Sequence, residues 1–340
     1  MHHMLKEIYE QPAALKETLE KAPKEIEDVY KRLAFKPRTI YLVGSGSSYY
    51  CGRVFSYLYE FLTKKKAISC YSLEFAKYTK DIVTTDDLVF LLSQSGETTD
   101  AVQAARASKT TKIAITNAFD TTLEKMTQFT IHSYAGLEKS IPSTKSFTSM
   151  LAVLALLALP LTKAKLKKKL FEIPDLLKQS LDNNAEACKS IGNHFVNENI
   201  VDIVGEGVNY PVTLEGALKM KETAHMHAQG MPVGEYWHGH ISLVKDGYPV
   251  ILSCPGNEKK ESTKRFMKKL SRVRAYAPII SFENLIKQLI DEAPLLCLPI
   301  TEAILSPFLS VPMFQLIAYY SSIAKGLDPD KPVGLHKVVK

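Results

Sequence analysis

The chain has 340 residues, of which 46% are hydrophobic and 23% charged, and its formal net charge at pH 7 is +7. This length suits two domains or one large domain with a substantial core, and the composition is that of an ordinary soluble protein. The positive charge lies in lysine clusters without the interleaved aromatic residues that stack on bases. It is compatible with a phosphorylated small substrate, and we expect no nucleic-acid partner.

Cysteine usage and hydropathy indicate a cytoplasmic protein. The five cysteines are odd in number, far apart and without CxxC spacing, which argues against a disulfide framework and a structural zinc site. The first residues, MHHMLKEIYEQP, lack the apolar core of a signal peptide. The longest apolar stretch that we recognise, Met150–Leu161, is shorter than the roughly twenty residues of a membrane span. We therefore expect a buried helix there and no membrane partner.

In chain order, residues 4–35 predict a helix, and residues 39–62 predict a strand, a glycine-rich turn and another helix. Residues 88–98, LVFLLSQSGET, carry an apolar strand into a hydroxyl-rich turn that a helix pattern follows. Further strands are expected at 67–71, 113–116 and 129–132, and further helices at 143–162 and, in two pieces, at 170–197.

The turn after residue 92 is typical of an anion site, because exposed N–H groups at a helix start, assisted by hydroxyls, can hold a phosphate. Simple helix capping by the same hydroxyls is the alternative that this segment leaves open. The polar residues of the turn are Ser93, Gln94, Ser95, Glu97 and Thr98, with Gly96 among them.

The glycine turn at 44–52, GSGSSYYCG, is not a dinucleotide fingerprint, and the chain holds no GxxxxGK[ST] loop. A nicotinamide enzyme and a nucleotide hydrolase are therefore not expected. Ser47 and Ser48 follow the first strand at the sheet edge where ligands bind in such folds. Alternatively, Gly44 and Gly46 only permit a tight turn.

The chain repeats itself after residue 200. Residues 201–224 match the first strand, turn and helix with an offset of 161, and residues 248–258 match the segment LVFLLSQSGET with an offset of 160. The second copy reads GEGVN and SCPG where the first has hydroxyls, so we expect the anion in the first copy. The pattern predicts two tandem α/β domains, each a doubly wound, flavodoxin-like parallel sheet. We expect a helical segment at 1–35, domains at 36–165 and 199–325, a helical linker at 166–198 and a tail at 326–340.

The second half holds residues suited to acid–base chemistry. Glu215, Lys219 and Glu222 lie on one face of a predicted helix, either as an exposed salt-bridged face or, given their apolar neighbours, lining a cleft. His238 and His240 follow a turn without further ligands at zinc-like spacing, so no metal is expected. A carboxylate and a histidine beside one sugar would suit proton transfer next to a carbonyl and ring opening.

The tail contains Lys337 among apolar residues. Such a basic tail is commonly disordered, but it could also fold over a cleft and bring a lysine amine into it. A desolvated lysine can form a Schiff base with a ketose carbonyl.

These stretches together resemble the sugar isomerase (SIS) family. The match is closest to the isomerase half of glutamine–fructose-6-phosphate aminotransferase and to free-standing archaeal glucosamine-6-phosphate deaminases. It extends over nearly the whole chain from about residue 38. The segments that carry it are GSGSSYYCG, LLSQSGETTD, SIPSTKSFTSML, LEGALKMKE, GEYWHG and PVGLHKVV. Trp237, where the aminotransferase has lysine, and Pro142, before STK, depart from the pattern.

The resemblance implies a role for each matching position. The phosphate would be held by Ser93, Gln94, Ser95 and Thr98, and the rest of the substrate by Ser48 and Ser143 with Ser47 nearby. Glu222 would move a proton between C1 and C2, with Lys219 in electrostatic support. His238, often supplied by the neighbouring subunit of a homodimer, would assist ring opening. Lys337 would attack the ketose carbonyl.

The function that we expect is interconversion of fructose 6-phosphate and glucosamine 6-phosphate, without a cofactor. Since no amide-hydrolysing domain is recognised, deamination, or amination by ammonia or a separate donor subunit, is expected. A deglycase or isomerase for another phosphosugar is the alternative. A non-catalytic sugar-phosphate sensor is a third, less favoured because the catalytic set is present.

Overall fold

The computed structural model describes residues 2–33, 35–158, 164–257, 259–282 and 294–338. The chain divides into two compact units. We call residues 10–138, 143–174 and 336–340 the first-sheet unit, and residues 1–9, 139–142 and 175–335 the second-sheet unit. The last residues of the chain thus belong with its first sheet, although they follow the second one in sequence.

The first-sheet unit contains a parallel sheet in the order β2-β1-β3-β4-β5. Its strands are β1 (Thr39–Gly44), β2 (Lys66–Tyr71), β3 (Leu88–Leu92), β4 (Thr111–Thr116) and β5 (Phe129–His132). Every residue of β1 and β3 is buried, as the continuous apolar runs predict for strands covered on both faces. This strand order is that of the flavodoxin-like doubly wound fold.

The helices of the first half are α1 (His3–Arg32), α2 (Ser47–Thr63), α3 (Ser72–Lys77), α4 (Thr99–Ala107), α5 (Thr122–Met126), α6 (Lys145–Ala158) and α7 (Ala164–His194). Of these, α1, α2, α4 and α6 lie close to the expected positions. All of α6 is buried, as expected for the apolar stretch that begins at Met150; residues 159–161 of that stretch lie outside the described residues.

The prediction of two helical pieces over 170–197 is wrong. α7 is one helix of 31 residues, and a short 3₁₀ turn, Phe195–Asn197, follows it. Six of its apolar residues form a buried stripe, at spacings of three, four or seven positions, on both sides of Pro174, and burial of this stripe stabilises one continuous helix. The residues of this stripe are Leu170, Ile173, Leu177, Leu181, Cys188 and Ile191.

The second-sheet unit contains a second parallel sheet, ordered β10-β9-β8-β6-β7. Its strands are β6 (Ile200–Gly205), β7 (His227–Pro232), β8 (Val250–Ser253), β9 (Ile279–Ser281) and β10 (Leu295–Cys297). Applying the repeat turns this order into that of the first sheet. The predicted fold class, two tandem doubly wound domains, is confirmed.

β7 was not expected, because Gly230 and Pro232 read as a turn. The strand lies at the edge of its sheet and ends at Pro232, a place where proline is tolerated. The repeat offset of 161 carries 66–71, the bounds of β2, onto 227–232. The internal repeat therefore predicts β7 from the position of β2, although the residue preferences of the segment itself favour a turn.

The helices of the second half are α8 (Asn209–Ala224), α9 (Val233–Tyr236), α10 (Glu261–Arg272) and α11 (Pro307–Ala324). By length and composition, the segment Ala303–Ala324 could cross a membrane, since its most apolar window has a mean hydropathy of 1.4. However, 83% of that window is buried within the protein, and the Thr223 hydroxyl of α8 donates to the Ala318 carbonyl of α11 at 3.1 Å. These features are those of a core helix.

The two copies share a steric requirement at one glycine. Gly96 and Gly256, which correspond in the repeat, both adopt positive φ, at 65° and 80°. A Cβ atom would lie 2.4 Å from Thr121 Oγ1 at the first position and 2.3 Å from Ala303 Cβ at the second. Both turns consequently require glycine for conformation and for space.

Candidate active site

The hydroxyl-rich turn of the first-sheet unit lies between β3 and α4. Ser93 Oγ accepts a hydrogen bond from Gly96 N at 3.1 Å and lies 3.2 Å from Thr98 Oγ1. Ser95 Oγ accepts from Glu97 N at 3.2 Å. These bonds hold the turn in shape. Its hydroxyls therefore build the turn as well as being available to a ligand.

The capping alternative fails at α4. Thr98 occupies the position before the helix, but its side chain makes no capping hydrogen bond. The same is true of Gly46 before α2, which has no side chain to cap with. N–H groups at the start of both helices thus lack a side-chain cap, the arrangement that suits a bound anion.

Four of the predicted substrate residues line one cavity. Ser47 and Ser48 begin α2, Gln94 follows β3, and Ser143 precedes α6; Ser146, Phe147 and Met150 complete the lining. The Gln94 backbone carbonyl accepts from Asn117 N at 2.9 Å, which fixes this part of the turn. The structure therefore brings residues from three separate segments together at one small cavity.

Sequence reasoning missed Glu138, a fully buried carboxylate in the same unit. Its Oε1 accepts from the N–H groups of Thr144 and Ser146, at 2.8 and 3.1 Å, and so caps α6. Its Oε2 accepts from Ser146 Oγ at 2.7 Å and from Lys337 Nζ at 2.6 Å. Burial alone would raise the pKa of Glu138, but the Lys337 charge and these hydrogen bonds lower it below the ordinary value. Glu138 is therefore a carboxylate held in its ionised form.

Lys337 is thus linked to this small cavity through one residue, Glu138. Its side chain is 25% exposed, and the carboxylate oxygen that it contacts also accepts from Ser146, which lines the cavity. The pairing joins residues 199 positions apart. No local motif marks Glu138, so only the requirement of a tail lysine for a counter-charge could have suggested it.

Glu215, Lys219 and Glu222 lie on α8 in the second-sheet unit. Lys219 Nζ is 2.5 Å from Glu222 Oε2 and 3.4 Å from Glu215 Oε1. The side chains of Glu215 and Lys219 are fully buried and that of Glu222 is 19% exposed, so the exposed-face alternative is wrong. Burial alone would lower the pKa of Lys219, but the charges of Glu215 and Glu222 outweigh it and raise that pKa. The two carboxylates thus favour the ammonium form of Lys219, and Glu222 is the most accessible residue of the three.

His238 is in the segment after α9 and is exposed. The preceding Trp237 is half-buried, with the Arg265 guanidinium 4.9 Å from its ring centroid. Tyr236, the residue before Trp237, is fully buried, and its hydroxyl donates to the Asp202 carboxylate at 2.6 Å. Among the residues that the structure describes, no three His, Cys, Asp or Glu side chains cluster in a way suited to a metal ion.

In the second copy, a side chain of the protein occupies the corresponding helix start. The Glu206 carboxylate accepts from Ser262 Oγ at 3.0 Å and Thr263 Oγ1 at 3.3 Å, and lies 3.4 Å from Lys260 Nζ. These partners belong to the beginning of α10 or directly precede it. The backbone N–H groups at the start of α10, like those of α4, have no side-chain cap, but in the second copy a carboxylate of the protein bonds the side chains around that helix start.

A comparison with known families decides what kind of protein this is. A family model described as the SIS domain matches residues 34–160 and 194–325, one match for each copy of the repeat. The chain belongs to the SIS domain family. The resemblance that the motifs indicate is confirmed.

Relatives of this SIS-domain chain include proteins named glutamine–fructose-6-phosphate aminotransferase [isomerizing]. The one from Pyrobaculum aerophilum is 34% identical and the one from Thermococcus kodakarensis 32%, each over 99% of this chain. The chain spans 57% and 58% of their respective lengths, little more than half.

Solved structures share the fold along almost the whole chain. The C-terminal domain of glucosamine-fructose-6-phosphate aminotransferase from Francisella tularensis has a TM-score of 0.87 and 26% identity, with 97% of this chain and 98% of that domain covered. Glucosamine-6-phosphate deaminase from Thermotoga maritima has a TM-score of 0.80 and 24% identity, with 99% of both chains covered. The two-sheet arrangement is thus common to proteins named for amino-sugar phosphates.

Proposed function

We propose that this SIS protein interconverts fructose 6-phosphate and glucosamine 6-phosphate by aldose–ketose isomerisation chemistry. The observation that carries the proposal is the Lys337–Glu138 pair, which lies one residue away from a cavity lined by Ser47, Ser48, Gln94 and Ser143. An amine and a group of serine hydroxyls within one unit suit a phosphorylated keto sugar. The names of the relatives support the same class of substrate.

The phosphate is proposed to bind at the turn that contains Ser93, Gln94, Ser95 and Thr98. Hydroxyls and N–H groups at the start of α4 supply donors, and the helix dipole adds favourable electrostatics for a dianion. Ser47, Ser48 and Ser143 are proposed to hydrogen-bond the rest of the sugar. No cofactor takes part in this scheme.

Lys337 is proposed to activate the ketose. In its neutral form Nζ adds to the C2 carbonyl, the carbinolamine loses water, and a protonated imine results. The nitrogen carries a positive charge both in the resting ammonium and in this iminium. Glu138, buried and ionised, is positioned to pair with that charge in either state.

Proton transfers are proposed for two residues of the second half. Glu222, the partly exposed member of the α8 triad, moves the proton between C1 and C2, and Lys219 Nζ lies 2.5 Å from its carboxylate in electrostatic support. His238 assists ring opening. Its exposure in the chain suits the further proposal that it acts in the site of a neighbouring subunit of a homodimer.

Ammonia chemistry tests the proposal. Purified protein with glucosamine 6-phosphate should release ammonia and fructose 6-phosphate, or the reverse mixture should yield glucosamine 6-phosphate. The amine source is proposed to be free ammonia or a separate donor subunit, in a cytoplasmic setting. The exposed Lys331→Ala variant is the matched control for Lys337→Ala, because both remove one lysine of the tail.

The same assay separates the alternatives. Activity on another phosphosugar, with none on these two, would indicate a related deglycase or isomerase. Trp237, which replaces the lysine of the aminotransferase pattern, would then be a candidate for the difference in substrate. Tight binding of hexose phosphates without turnover would assign a sensor. The proposed reaction is refuted if the protein neither releases ammonia from glucosamine 6-phosphate nor synthesises glucosamine 6-phosphate from fructose 6-phosphate.

A further inference from the structure

The N-terminus of α1 is capped from the far end of the chain. Its first turn contains no acidic residue. Instead, the Asp330 carboxylate accepts from the N–H groups of His3 at 2.8 Å and Met4 at 2.7 Å. Asp330 is only 9% exposed, and a carboxylate on helix N–H groups gains from both the hydrogen bonds and the helix dipole.

A second set of contacts closes the same cluster. The Glu7 carboxylate of α1 is 3% exposed and accepts from the N–H groups of Lys139 and Ser140. The N–H of Ile141 in turn donates to the backbone carbonyl of Asp330 at 3.0 Å. We call this cluster the tail anchor: His3, Met4, Glu7, residues 139–141 and Asp330. All of these residues belong to the second-sheet unit.

The tail anchor fixes the chain at Asp330, a short distance in sequence before the reactive lysine. Lys337 follows Asp330 by seven residues, which can span at most about 25 Å when extended. The intervening residues 333–336 are exposed, and Gly334 has a φ of 78°. Apart from the buried Pro332, this link is exposed and takes its position mainly from its fixed ends.

We propose that Asp330 is a positioning residue for Lys337, acting through the first turn of α1. This inference rests on the imine-forming role of Lys337 proposed above. When the anchor is released, the tail explores more conformations, and the Lys337 amine spends less time where a carbonyl can be attacked. The rate of imine formation should fall while phosphosugar binding, which uses the turn after β3, is retained.

Two variants weaken the anchor to different degrees. Asp330→Ala removes both helix-capping bonds. Of the two capping bonds, His3→Pro removes only the one from the His3 N–H, and proline is well tolerated at this first helical position, so α1 itself is retained. Lys331→Ala is the control, since it changes an exposed neighbour of Asp330 outside the anchor.

The experiment uses the full chain and two measurements. Hydrogen exchange by mass spectrometry reports on residues 326–338 and on the start of α1 without any substrate. Cyanoborohydride trapping with fructose 6-phosphate reports on imine formation, because its hydride reduces the C=N bond to a stable secondary amine on Lys337. Asp330→Ala should speed exchange in both segments and slow trapping at least tenfold, with the sugar-phosphate KM within threefold of wild type. His3→Pro should fall between Asp330→Ala and the control.

Three results would overturn the inference. Unchanged exchange in Asp330→Ala would show that there is no anchor. Faster exchange with wild-type trapping would make the anchor purely structural. Wild-type protein that traps no imine would remove the proposed role of Lys337 itself, and the exchange response to Asp330→Ala would distinguish that failure from loss of the anchor.

Discussion

Glu138 and Lys337 form an ion pair in which only the lysine reaches solvent. The carboxylate also accepts from two backbone N–H groups and the hydroxyl groups of Thr144 and Ser146, so several donors share its negative charge. A buried pair of this kind gives little net stability, but removal of one partner is costly. Its value here is to hold a tail lysine at a defined place.

Lys337→Ala should abolish turnover while binding of the phosphosugar remains nearly unchanged. The amine is the nucleophile and the phosphate is held elsewhere, so kcat should fall by about a thousandfold or more. Ser95→Ala should instead raise KM about tenfold, as loss of one hydrogen bond to a charged group predicts. Steady-state kinetics and equilibrium binding measure the difference, and an equal loss of binding in both variants would make Lys337 a phosphate ligand.

A second residue-scale prediction concerns His132 at the end of β5. Its Nδ1 lies 3.0 Å from Glu25 Oε1 and its Nε2 lies 3.4 Å from Glu124 Oε1, while the Phe119 ring stacks on it and Tyr134 donates to Glu25. Burial alone would lower the pKa of His132, but the two carboxylates raise it. A histidine whose pKa is raised in the folded state stabilises the protein fully at pH values below its unfolded pKa. This stabilisation is lost as the pH rises through the folded pKa.

The free energy of unfolding should therefore fall as pH increases from about 6.5, the unfolded pKa of histidine, through the raised folded value. In His132→Gln this decline should be absent, because the side chain has no proton to lose. Urea unfolding at a series of pH values gives both curves. A decline of equal size in the variant would show that other groups cause it.

At the scale of elements, the turns after β3 and β8 are one structure used for two purposes. Gly96 and Gly256 share a positive φ and a crowded Cβ position. Neither helix start that follows has a side-chain cap on its N–H groups, but the Glu206 carboxylate accepts from the hydroxyls at the start of α10. The backbone is thus preserved in both copies, and only the side chains determine whether a ligand can bind.

Alanine at each glycine should separate these purposes. Gly96→Ala and Gly256→Ala should each lower the free energy of unfolding by about 2 kcal/mol or more, from backbone strain of 1–2 kcal/mol plus the steric clash. Only Gly96→Ala should also weaken phosphosugar binding. Gly207→Ala, at a positive φ in open space, is the control that isolates backbone strain. Equal effects on binding from Gly256→Ala would contradict the division of roles.

At the scale of the whole molecule, the proposed homodimer predicts complementation between chains. If His238 acts in the partner's site, mixed dimers of Glu222→Gln and His238→Asn chains contain one site with both defects and one with neither. When the two chains are produced in equal amounts, half of the dimers are mixed, and one of the two sites in each mixed dimer is intact. Activity should therefore recover to about a quarter of wild type. Each variant alone should be inactive. No recovery on co-expression would place both residues in sites formed by one chain.

Much of this protein was determined by its sequence. The apolar runs predicted the strands β1, β3, β4 and β5, and the repeat predicted a second sheet of the same kind, because burial on both faces leaves a continuous hydrophobic signal. The hydroxyl-rich turn was visible as well, since it is a local feature in which neighbouring residues build one structure.

Tertiary structure decided the rest. β7 is an edge strand whose glycine and proline conceal it locally, and α7 continues through a proline because its stripe is buried. Glu138 meets Lys337 across 199 positions, and Asp330 caps a helix 326 residues before it. Such partners leave no periodicity or spacing in the sequence, since a buried charge or an open helix end requires only a complementary group nearby in space.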